Sequence, residues 1–72
     1  MLHKFNTTIG KRHYIVIVNK YEKNDKNFLE IEYVLQTPKG VVVTEISDSL
    51  DMAVWQDVQI AMKAKEQGNR IF

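Results

Sequence analysis

Residues 13–21, HYIVIVNKY, are apolar on both alternating faces, with Ile15 and Ile17 pointing one way and Tyr14, Val16 and Val18 the other. Successive side chains of a strand leave opposite sides of the sheet, so such a run demands an apolar layer above and another below. The chain has 72 residues, enough for a single domain spanning 1–72. At this size stability is marginal without help, and oligomerisation is one common form of it. How many apolar layers the rest of the sequence can build therefore decides what the fold leaves open.

TTIGKRHY sets Gly10-Lys11 between two runs of strand character, which predicts a two-residue type II′ hairpin turn joining strands at 3–9 and 12–20. Counting outward pairs Phe5 with Val16 and His3 with Val18 on one face, and Thr8 with His13, Asn6 with Ile15 and Lys4 with Ile17 on the other. YEKNDKN, residues 21–27, reads as an exposed polar loop. FLEIEYVLQ, residues 28–36, alternates Leu29, Ile31, Tyr33 and Leu35 against Glu30, Glu32 and Gln36, the pattern of a half-buried strand. TPKG suits a type I turn closing on a left-handed Gly40, with VVVTEI, residues 41–46, as the return strand. In that register Leu35 meets Val43 on the core face, while Gln36 meets Val42, Val34 meets Thr44 and Glu32 meets Ile46 behind it.

From residue 48 the period changes to that of a helix, expected over 49–67, with Asp48 as cap, Asp51 in the first turn and Lys63 and Lys65 late. Leu50, Val54, Val58, Ala61 and Met62 form one stripe toward the sheet, with Trp55 on its edge near the C-terminal Ile71 and Phe72. The expected class is α+β: a small antiparallel sheet of three to four strands in two hairpins, packed on one face by a single C-terminal helix.

Four strands at about 4.8 Å spacing make a sheet nearly 20 Å across, whereas one helix is about 10–12 Å wide. It covers one face, made of Phe5, Tyr14, Val16, Val18, Leu29, Ile31, Tyr33, Leu35 and Val43. Ile15, Ile17, Val34, Val42 and Ile46 are left on the other, an expected protein interface for a homodimer or a larger partner. A solvated face is the plainer alternative, since β-branched residues suit exposed strands.

Catalytic chemistry finds no constellation here. Glu30 and Glu32 lie about 7 Å apart on one strand face, with no pocket or substrate clamp expected beside them. His3 and His13 fall on opposite sheet faces, so no metal site and no cofactor is expected. Asp48, Ser49 and Asp51 lack the spacing of a calcium loop, and Gly10, Gly40 and Gly68 form no phosphate-cradling loop. The absence of cysteine excludes disulfide scaffolds and thiolate chemistry and accords with a reducing cytoplasm. No apolar run approaches a membrane span.

The formal charge of +1 conceals an asymmetry. Residues 1–27 hold six basic against two acidic side chains, a net of +4. Residues 28–58 hold Lys39 against six acids, a net of −5. Lys11, Arg12, Lys20, Lys23 and Lys26 make nucleic acid the alternative partner, tracked by phosphate contacts from the hairpin ends. In topology alone the arrangement resembles the three-stranded DNA-reading domains of plant transcription factors and phage integrase arms. Those domains read DNA with the face opposite the helix, and here that face presents Glu30 and Glu32. The reading is therefore a non-enzymatic interaction module, of a size that fits an accessory or inhibitor protein of a phage or other mobile element.

Overall fold

The computed structural model describes residues 1–68. Its elements run β1 (His3–Ile9), β2 (Arg12–Lys23), β3 (Leu29–Gln36) and α1 (Asp48–Gly68). The strands form one antiparallel sheet in the order β1-β2-β3, and α1 packs on one face of it.

The first hairpin has the expected register throughout, from Ile9 opposite Arg12 to His3 opposite Val18. Its turn differs from the expected type. Gly10 and Lys11 both have positive φ, 58° and 69°, so the turn is of the type I′ class and not type II′. A non-glycine residue thus occupies a left-handed position.

β2 also runs three residues further than expected. The pairing with β3 shifts between Val18 and Lys20, leaving Asn19 as the extra residue of a β-bulge. Beyond it the alternation is inverted, so Tyr21 pairs with Ile31 and packs against the core, while Lys20 and Glu22 pair with Glu32 and Glu30 on the opposite face. Simple period-2 counting would assign the reverse. The connection to β3 is consequently short: the Asn24 side-chain oxygen accepts hydrogen bonds from the Lys26 and Phe28 N–H groups at 2.9 and 3.1 Å, and Asn27 takes a positive φ of 64°.

The expected fourth strand over 41–46 does not form. After the turn, where the Gly40 N–H donates to the Thr37 carbonyl at 2.8 Å and Gly40 has φ 86°, the chain makes one bridge, Gln36 to Val42. The Val43 N–H donates to the Leu35 carbonyl, after which pairing ends. Ile46 is therefore not behind the sheet: it packs against the core. The reason is connectivity, because the segment must rise over the edge of β3 to enter α1 on the covered face.

Ser47, not Asp48, caps the helix: its hydroxyl accepts from the Leu50 N–H at 3.2 Å and its carbonyl from the Asp51 N–H at 2.9 Å. The helical stripe faces the sheet as its spacing requires. Val54 and Val58 join Val16, Val18 and Leu35 in a fully buried cluster, with Leu50 and Met62 packed around it. Two carboxylates flank the stripe and fasten it to the outer strands. Asp57 accepts from the Thr7 hydroxyl on β1 and Asp51 from the Tyr33 hydroxyl on β3, both at 2.7 Å. Lys65 adds a bond to the Leu2 carbonyl. Trp55 is half-buried; the expected neighbours Ile71 and Phe72 lie outside the described residues.

Candidate protein-contact face

With α1 committed to one side, the opposite face of the sheet has no element over it among the described residues. β2 supplies Ile15 and Ile17 at its centre. The register sets Ile17 beside Val34 and Lys4, and Ile15 beside Gln36 and Asn6, with Val42 next to Gln36. Four of the five expected interface residues, Ile15, Ile17, Val34 and Val42, are thus brought into one patch, and the fifth, Ile46, belongs to the core side. Ile15, Ile17 and Val34 are half-buried by their neighbours, whereas Val42 is 50% exposed. A shallow depression lined by Asn6, Thr8, His13, Ile15 and Pro38 adjoins the patch.

Charged side chains border this patch, with Lys4 paired beside Ile17 and a cluster at the end beyond the bulge. At the end beyond the bulge, Lys20 Nζ lies 2.8 Å from Glu30 and 3.5 Å from Glu22. Its hydrogen bond and charge hold the Glu30 carboxyl below the usual carboxylate range, and Glu30 in turn raises Lys20. Exposed Glu32 stands opposite Lys20 on β3. This cluster, one lysine among three glutamates, answers the question of what Lys20 does: it separates like charges that the strand register places side by side at Glu22 and Glu30. Its presence here was not legible from alternation, because only the bulge turns it to this side. At the other end the exposed Lys11 and Lys39 lie in the turns at 10–11 and 37–40, whereas Arg12 pairs with Ile9 on the covered side.

The five basic residues considered for nucleic acid therefore do not form one surface. Lys11 and Arg12 sit at one end of β2, Lys20 and Lys23 at the other with Lys26 in the adjoining turn, and Lys20 is engaged by carboxylates. The two histidines lie on opposite faces, as the register requires: His3 stacks on the Phe5 ring at 5.7 Å, and His13 shares a hydrogen bond with Thr8 at 3.1 Å. Among the described residues no helix is long and apolar enough to cross a membrane. Comparison with family models, curated proteins and solved structures gives no match for this chain.

Proposed function

We propose that this chain is a non-enzymatic protein–protein interaction module that works through the open face of its sheet. The observation that carries the reading is the contiguous set Ile15, Ile17, Val34 and Val42 on the side that α1 leaves uncovered. Burying what remains exposed of these side chains contributes about 1 kcal/mol each, roughly half the value of full burial. Four such residues with an orienting charged rim are enough for a reversible complex. The cytoplasm is the compartment that a chain without cysteine fits best. The wider role, as an accessory or inhibitor protein of a phage or other mobile element, rests on small size and on the absence of a catalytic motif in the sequence.

The double substitution Ile17→Lys with Val34→Lys tests the reading. In the isolated fold both lysines reach water, so circular dichroism and thermal unfolding should stay close to wild type. In a dry contact they bring unpaired charge, which costs several kcal/mol and should abolish association. An unfolded double mutant, or one that associates as the wild type does, would overturn the assignment of this face.

A further inference from the structure

We propose that the cleft between the end of the first hairpin and the 37–40 turn is an anion site that takes the phosphate group of a small phosphomonoester. The site stands apart from the open face and does not depend on what covers that face.

The cleft follows from a difference in strand length. β2 starts at Arg12, but its pairing with β3 ends where Ile15 meets Gln36, so Arg12, His13 and Tyr14 run on beyond β3. The chain leaves β3 through the 37–40 turn, which stands across from this overhang. Lys11, Arg12, His13 and Tyr14 line one wall, Thr37 and Pro38 the other. Because the cleft opens at the end of the sheet, it collects side chains from both faces: Arg12 and Tyr14 belong to the covered side and His13 to the open side.

Its chemistry has one sign. No acidic residue lines the cleft, while Lys11, Arg12, His13, Tyr14 and Thr37 all carry groups that donate hydrogen bonds. The two permanent cations, Lys11 and Arg12, match the nearly double negative charge of a phosphomonoester at neutral pH, and a guanidinium can hold two phosphate oxygens at once. A backbone donor joins them. N–H groups of a strand alternate between its two neighbours, and the hairpin closes on Ile9 and Arg12, which directs the His13 N–H toward the β3 side, where no strand residue stands opposite it. Lys11 also holds a φ of 69° that glycine adopts without cost. An ammonium lining the cleft gives that conformation a use.

Size selects the ligand. A volume of about 420 Å³ suits a small molecule, and Tyr14, Pro38 and Val43 offer apolar wall to the organic group of an ester. So few contacts, open to water, should give a dissociation constant in the millimolar range.

Amide NMR titration of the full chain with inorganic phosphate and with phenyl phosphate, at an ionic strength held constant with chloride, tests the proposal. Saturable shifts should centre on residues 11–14 and on Thr37 and leave Lys23 and Lys63 unmoved, and phenyl phosphate should bind several-fold tighter because its ring meets the apolar wall. Lys11→Gly, which suits the turn and so keeps the fold, should weaken binding about tenfold, as should Arg12→Gln, with circular dichroism recorded on both variants. Shifts that do not saturate, or that spread over lysines elsewhere on the surface, would overturn the site, as would undiminished binding by Lys11→Gly. Equal binding of the two probes would overturn the ester and leave a site for free phosphate. A short single-stranded oligonucleotide without a terminal phosphate that binds tighter than phenyl phosphate and shifts Lys23 and Lys26 would make nucleic acid the ligand instead.

Discussion

The Tyr33 hydroxyl donates a 2.7 Å hydrogen bond to the carboxylate of Asp51, joining the third strand to the first turn of the helix. Burial, and next the Asp51 carboxylate, raise the Tyr33 hydroxyl well above the usual tyrosine range. A folded-state pKa raised above the unfolded one adds stability below the ordinary value, and that stability is lost as pH rises toward the folded value. Wild-type stability should therefore fall once pH passes about 10. Tyr33→Phe should cost about 1 kcal/mol at neutral pH and should lack this part of the alkaline fall. Urea unfolding at neutral and alkaline pH measures both.

The Lys20–Glu30 pair lies half-exposed at the surface, where water screens it, so its test is a titration and not a stability. A depressed carboxyl stays ionised below its ordinary pKa near 4.3, and whatever the pair adds to folding is present above that value and lost as pH falls. Carboxyl NMR should show Glu30 titrating below the usual range in wild type and moving back up in Lys20→Met. An unchanged midpoint in that variant would mean that Lys20 does not hold Glu30.

These two pairs also mark what the sequence makes legible. The first hairpin register follows from one turn and strict alternation, and the helical stripe from its period, so Phe5–Val16 and the buried Val54 and Val58 could be read directly. The second half of β2 could not. A bulge at Asn19 has no periodic signature, and the polar run YEKNDKN hides the strand that continues into it. Ile46 fits the alternation of a return strand, yet the need to reach the helix side takes it into the core, a constraint of connectivity that no local pattern contains. Asp51 and Asp57 sit at the edges of the apolar stripe in the helical phase, which shows that they border the sheet. Which hydroxyl each one accepts depends on the packing.

The turn at Gly10-Lys11 carries a removable cost. Lys11 holds a φ of 69°, a conformation open to glycine without penalty and unfavourable to a side chain with a Cβ. Lys11→Gly should stabilise the hairpin by up to about 1 kcal/mol. Gly10→Val, which puts a β-branched residue at φ 58°, should destabilise it. Denaturant midpoints with unchanged slope would establish both effects.

The separation of Lys11 and Arg12 from Lys23 and Lys26 along β2 leads to a prediction for nucleic acid. Labelled duplex and single-stranded DNA and RNA should show only weak binding at low salt. Phosphate contacts would make any such binding fall steeply with ionic strength. Tight binding abolished by Lys23→Glu with Lys26→Glu would favour that partner class over protein.

The contact face is tested most directly by methyl NMR of the full chain across a dilution series. Every methyl group of Ile15, Ile17, Val34 and Val42 lies on the open face, and the buried Val16, Val18, Val54 and Val58 serve as internal references. Concentration-dependent shifts and broadening should be confined to the first set and should disappear in Ile17→Lys with Val34→Lys, while the reference methyls hold still. Spectra that do not change up to millimolar concentration would contradict self-association through this face, and changes centred on the helix or on the edge of β1 would contradict the contact face itself.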